Sequence, residues 1–197
     1  MTQDRKTNDD RREYFRVNDA VRLNIRLVDQ AQLDELLARL EQGITGSFTV
    51  MSSLAAISAE MAVSMRRIEN SDPDVAGYLK ALDRKIEVLG RAFLAEETDL
   101  VSEVAHPVNL SAGGMGMLVN EQYPVGASVE IKMLLFPSFT GVLTYGTVVA
   151  CSPLAAEDRE QGYSHDMRIE FTHLREQDRD ILIRHVLRCQ SMELRNK

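Results

Sequence analysis

The chain is poor in the groups that usually mark catalysis, metal binding or export. Of its 197 residues only Cys151 and Cys189 are cysteine. They have no CxxC spacing, which argues against a disulfide framework or a zinc ribbon, and one falls in a strand pattern and the other in a helix pattern, so both read as buried thiols. The four histidines, His106, His165, His173 and His185, show no HExxH or similar spacing and read as surface or structural, with no metal expected. Ser164-His165-Asp166 contains the residue types of a triad, but neighbours in a strand point to opposite faces and do not converge. Gly113-Gly114-Met115-Gly116 is not followed by GK[ST], so it is no phosphate loop. An enzyme is not expected. Positive charge is also scarce: 23 Lys and Arg against 30 Asp and Glu give a net charge of −7, which argues against broad DNA or RNA binding, because that requires a basic surface to displace counterions. No apolar run approaches the roughly 20 residues that cross a bilayer, and Met1 to Asp10 is polar where a signal peptide would be apolar. A cytoplasmic protein without membrane contact is expected.

Two polar clusters stand out against this background. Arg11-Arg12-Glu13-Tyr14-Phe15-Arg16 places arginines four apart beside two aromatics, just ahead of a strict alternation of Val21, Leu23, Ile25 and Leu27 with Arg22, Asn24 and Arg26 that predicts a half-buried strand. Guanidinium groups are shaped to grip phosphate and a guanine edge with paired donors. The second cluster, Asn109-Leu110-Ser111-Ala112-Gly113-Gly114, brings short hydrogen-bonding groups together with glycines that let the backbone turn sharply or approach a ligand.

Between the clusters the period changes. Apolar residues recur at steps of four and three through Leu33, Leu37, Leu40, Ile44, Met51, Leu54, Met61, Met65 and Ile68, with Ser47 and Ser58 interrupting, as in a coiled-coil seam. Asp72 is placed to cap and Pro73 to open a second helix, whose seam is Val75, Leu79, Leu82, Ile86, Leu89 and Phe93. An antiparallel hairpin with its tip near Ser71 is predicted. Its first arm, from about Gln30 to Asn70, would be roughly 60 Å long against roughly 37 Å for the second. The leucines from Leu33 to Ile44 would then have to pack on the rest of the subunit or on another copy. Gly43 and Gly46, each costing a helix interior about 1 kcal/mol relative to alanine, mark where that arm can bend or break.

After Leu100, alternating or β-branched segments at 104–110, 114–119, 127–136, 141–151 and 163–171 predict five more strands. A helix from Glu176 to about Leu194 follows, with Ile181, Leu182, Val186, Leu187 and Cys189 on one face to cover an end or edge of a barrel.

The two clusters fit the RxxxR and [DN]xSxxG motifs, in that order, and the chain resembles the PilZ domain family of bacterial cyclic di-GMP receptors. The resemblance covers the motif segment, the first strand and everything after about Val104. It implies an α+β fold: a small six-stranded antiparallel barrel with a C-terminal helix, split here into 1–28 and 104–197 by an inserted helical segment, 29–103. The insertion looks like that of a variant subfamily whose heptad-bearing helices assemble a tetramer. The resemblance implies that Arg12 and Arg16 hold the phosphates and the Hoogsteen edge of a guanine, with Arg11 beside them. Asn109 and Ser111 would hydrogen-bond around a guanine, and Gly113 and Gly114 would keep the turn open. Cyclic di-GMP is the ligand expected, with no cofactor, a homo-tetramer formed through the helical seam, and a downstream protein partner that the sequence does not identify. The competing reading is a helical oligomerisation scaffold whose barrel binds a partner protein and no nucleotide.

Overall fold

The computed structural model describes residues 14–42, 46–97, 100, 104–155 and 162–195. Six strands, β1 (Val17–Val28), β2 (His106–Ser111), β3 (Gly114–Val119), β4 (Ser128–Leu135), β5 (Thr140–Pro153) and β6 (His165–His173), form a closed barrel in the order β1-β2-β3-β6-β5-β4. Every neighbouring pair is antiparallel. Closure leaves no open sheet edge, and the period of two sends Val21, Leu23, Val108, Leu110, Met115, Met117, Ile131, Met133, Val148, Met167 and Ile169 inward to one core. The helix α4 (Glu176–Arg195) follows β6 and adds Ile181 and Leu182 to that core. Its buried face is Asp178, Ile181, Leu182, His185 and Val186. Leu187, expected on that face, is exposed, because steps of three and four from Asp178 pass through His185 and miss it.

The connection from β1 to β2 holds α1 (Gln30–Glu41), α2 (Ser47–Ser71) and α3 (Pro73–Glu97). The first arm is two helices, divided between Glu41 and Ser47, the stretch where Gly43 and Gly46 were expected to let it bend or break. Gly46, at φ 96°, stands immediately before α2 in a backbone region that side chains rarely adopt. Without α1 the hairpin arms are equal, 25 residues each, or about 37 Å. The turn is as anticipated: the Val75 N–H donates to Asp72 Oδ1 at 3.1 Å and Pro73 opens α3.

A second core lies outside the barrel wall. Leu33 and Leu40 of α1, Phe48 and Met51 of α2 and Leu94 of α3 pack with Val28, Leu134, Leu143 and Tyr145. This explains why β4 and the first half of β5 are buried on both faces, and why β1 ends with Val28 buried and Leu27 exposed, contrary to the simple alternation. It also corrects three residues of the proposed assembly seam. Leu33, Leu40 and Met51 are consumed within the subunit, while Ile44 lies outside the described residues. The same core is shared across the division drawn between 29–103 and the rest.

One absence inferred from the sequence needs correction. Phe48–Ser71 is long and apolar enough, by length and composition alone, to cross a membrane, since from Phe48 to Met65 the only charged side chain is Glu60. Small serines and alanines conceal the run from a reading by heptads. In the fold the base of this helix packs on the barrel. Arg175, at the start of α4, donates to both oxygens of buried Asp178 at 2.7 and 3.0 Å and to Ser52 Oγ at 2.6 Å, so α2 is tied to the C-terminal helix through a desolvated ion pair.

Candidate functional site

The closed barrel brings the two motif segments together. Asn18 pairs with Asn109 across β1 and β2, Asn109 with Gly116 across β2 and β3, and Gly116 with Arg168 across β3 and β6. These four positions form one row on the outer face. Arg16, two residues before Asn18, donates from Nη1 to Asn109 Oδ1 at 3.4 Å, and Asn109 Nδ2 donates to Asn18 Oδ1 at 2.9 Å. Residues 93 positions apart thus meet because β1 and β2 are neighbours despite the insertion. The row floors a cavity of about 920 Å³ lined by Tyr14, Arg16, Asn18, Asn109, Ser111 and Gly113 on one side and Gly116, Asp166, Arg168 and Glu170 on the other.

The turn between β2 and β3 is held from within. Ser111 Oγ donates to the Gly114 carbonyl at 3.0 Å and accepts from the Gly113 N–H at 3.3 Å. Gly113 sits against Tyr14, whose ring lies 3.0 Å from where a Cβ would stand. Gly114 has a different role from the one expected. It is not among the residues lining the cavity, and a Cβ there would stand 2.3 Å from the Ile169 carbonyl, so its glycine is required by the approach of β3 to β6. Arg179 of α4 braces the arrangement, donating to Tyr14 Oη at 3.4 Å and to the Ala112 carbonyl at 3.5 Å. Arg11 and Arg12 lie outside the described residues. Asn18, Arg168 and Glu170 were not singled out in the sequence, and Gly116 and Asp166 were weighed only as parts of a phosphate loop and a triad. The available signal was parity: each stands on the outward-facing side of a strand whose bounds the sequence had marked.

A second polar group joins β1 to α4. Asp19 Oδ2 and His185 Nε2 are 2.6 Å apart, Cys189 Sγ is 3.6 Å from the same nitrogen, and Arg188 Nη2 contacts His185 Nδ1 at 3.2 Å and the Phe136 carbonyl at 2.7 Å. Asp19, His185 and Cys189 could in principle hold a metal. Arg188 argues against that. A guanidinium can only donate, so Nδ1 must accept and the imidazole proton sits on Nε2, facing Asp19. A metal on Nε2 would force that proton onto Nδ1, against Arg188. Burial raises the Asp19 carboxyl, but the His185 hydrogen bond, the Ala20 N–H and the positive charge of Arg188 outweigh it and leave the group below its ordinary value. Burial, with Asp19 next, pushes the Cys189 thiol up, so it stays a protonated thiol.

Ser164 and His165 do touch, Oγ to Nδ1 at 2.7 Å, because Ser164 precedes the strand and escapes its alternation. Asp166 turns instead to Arg168 at 3.7 Å.

The distal hairpin exposes most of its predicted seam. Met61, Val75, Leu82, Ile86, Leu89 and Phe93 are exposed, joined by Ile57, Val63, Tyr78 and Val88. Leu37, Leu54, Met65, Ile68 and Leu79 are half-buried.

These features define a β-barrel module with a polar pocket on its wall and a long helical arm bearing exposed apolar residues. The sequence profile of the PilZ domain matches residues 84–188, more than half of the chain, and the chain belongs to the PilZ domain family, whose members are in general receptors for cyclic di-GMP. No curated protein matches the sequence. Among solved structures, the fold is similar to a tetrameric PilZ domain protein of Xanthomonas campestris that self-assembles through a helical bundle, at 15% identity over 92% of this chain and 91% of that one, with a TM-score of 0.50. Partial similarity extends to the Bacillus subtilis inhibitor of motility, at 20% identity over 46% and 44% of the two chains and a TM-score of 0.38. It extends also to the PilZ domain of Escherichia coli YcgR with cyclic di-GMP, at 16% identity over 50% and 82%, with a TM-score of 0.36.

Proposed function

We propose that this protein is a cyclic di-GMP receptor which binds the nucleotide in the cavity between β1, β2, β3 and β6 and relays the signal to a protein partner. The observation that carries this reading is the contact of Arg16 with Asn109 at the rim of that cavity. It places a permanent cation beside a fixed amide acceptor and donor, the pairing that a phosphate next to a guanine requires. The cavity is at the upper end of the range for small-molecule sites, about 300–1,000 Å³, which suits a ligand of two nucleotides. By motif position Arg11 and Arg12 contribute further phosphate and Hoogsteen-edge contacts. Ser111 acts by fixing the turn through its two backbone hydrogen bonds. The Asp19 and His185 pair lies beside the site and joins α4 to the strand carrying Asn18, offering a route from ligand to helix.

Assembly belongs to the same proposal. The exposed stripe on the hairpin fits a second copy of itself, and the helical-bundle tetramer of the Xanthomonas protein supplies the pattern. A cytoplasmic location follows from the ligand. The stripe equally favours the scaffold reading, in which the barrel binds a protein and no nucleotide. Calorimetry separates them. Cyclic di-GMP titrated into the wild type should bind at micromolar concentration or tighter, the heat should vanish in Arg16→Ala, and binding should weaken in Ser111→Ala by the 1–3 kcal/mol (roughly 5- to 150-fold) typical of losing a buried hydrogen-bonded group. A wild type that gives no heat at high nucleotide concentration is the scaffold's result.

A further inference from the structure

The pocket contains a contradiction in charge. A dianionic ligand is expected there, yet the β6 wall presents Asp166 and Glu170 on the same outer face as Arg168. Asp166 is occupied with Arg168. Glu170 has no hydrogen-bond or ion-pair partner among the described residues and is exposed to the cavity. An unpaired carboxylate repels phosphate, so the pocket is divided: cation on the β1 side at Arg16, carboxylate on the β6 side.

The floor between the two sides is flat. At Gly116 a Cβ would meet nothing nearer than 3.8 Å, with Arg168 Cγ and Asn109 Cβ at 3.9 and 4.0 Å. Packing therefore does not demand glycine there. Its effect is to leave an uncovered strip of backbone between Asn109 and Arg168, with Glu170 one row over, opposite Gly114 and two residues along β6 from Arg168.

Resting on the receptor reading above, we propose that Glu170 reads the Watson–Crick edge of a guanine lying over Gly116, and so makes the site select guanine over adenine. Guanine presents two adjacent donors on that edge, N1–H and the 2-amino group, which match the two oxygens of one carboxylate as a guanidinium does. Adenine presents an acceptor at N1, which a carboxylate repels, and has no 2-amino group. The phosphates stay with Arg16, and Arg168 would exchange its 3.7 Å contact with Asp166 for the O6 and N7 acceptors of the same base.

The test is a competition assay with the full-length protein, displacing labelled cyclic di-GMP with unlabelled cyclic di-GMP and cyclic di-AMP, in the wild type and Glu170→Ala. Thermal midpoints would verify that the exposed substitution leaves the fold intact. The preference for guanine over adenine should fall by about tenfold or more, the size of a good bidentate base contact, and Glu170→Gln, which keeps one acceptor, should fall between. If Glu170→Ala tightens or weakens both dinucleotides equally, Glu170 acts only as a background charge and this inference is overturned while the receptor reading stands. If the wild type binds neither dinucleotide, the receptor reading itself is wrong and the assignment of Glu170 goes with it.

Discussion

Arg16 and Asn109 were legible in the sequence as a pair because each sits in a motif whose chemistry is explicit: a cation with paired donors, and a short amide beside a turn. The structure adds that Asn109 is held on both sides, by Arg16 and by Asn18. Asp19, His185 and Arg188 were not legible, since the contact joins residues 166 positions apart and none of them belongs to a recognisable spacing. Their arrangement has a pH consequence. Asp19 titrates below its ordinary value of 3.8 in the folded protein, so the unfolded chain binds its proton first as pH falls. Its contribution to stability is complete above that ordinary value and is lost as pH drops through the depressed one. Asp19→Asn should therefore destabilise the protein at pH 7 by about 1.5–3 kcal/mol, the range for a charged hydrogen bond. In denaturant titrations the gap from wild type should close as pH falls below about 4. A gap that stays constant to low pH would mean that the carboxylate charge is not what stabilises the contact.

At the scale of elements, the strands were readable because inward residues alternate, and β3 and the hairpin turn at Asp72 and Pro73 fall where the pattern puts them. The glycines marked where the first helical arm divides, but which of its two possible partners the Leu33–Leu40 stripe packs on was not legible. Heptad spacing continues through Leu33, Leu37 and Leu40 as though one helix ran on, but the same spacing serves α1 packing on the barrel wall, and periodicity does not reveal what a stripe packs against. The wall gives the answer only in three dimensions, where Leu134 and Leu143 face outward to meet it. What remains exposed belongs to the distal hairpin. Leu82→Glu changes a residue that is 37% exposed in the single chain and would be buried in an assembly. A charge there should cost the interface roughly 3–5 kcal/mol, and sedimentation should show a smaller species than the wild type. An unchanged mass would show that copies do not meet through this face.

For the molecule as a whole, the two halves of the sequence serve different ends. The barrel converts remote motif residues into one pocket, and the helical arm, anchored by Arg175 and Asp178 and by the core around Tyr145, presents apolar surface away from it. Buried Tyr145 belongs to the core that the helices share with the barrel wall, and it is fixed within that wall, across β4 and β5. Its hydroxyl donates to Glu130 at 3.0 Å, and burial with that neighbouring carboxylate holds the phenol well above its usual range. A ligand in the pocket and a partner on the arm would thus act on one continuous packed body. The central claim is that the pocket between β1 and β6 is where the nucleotide binds. A crystal structure of the protein grown with cyclic di-GMP should show the nucleotide over Gly116, with phosphate at Arg16 and a guanine between Asn109 and β6. Nucleotide bound on another face, with this cavity empty, would contradict it.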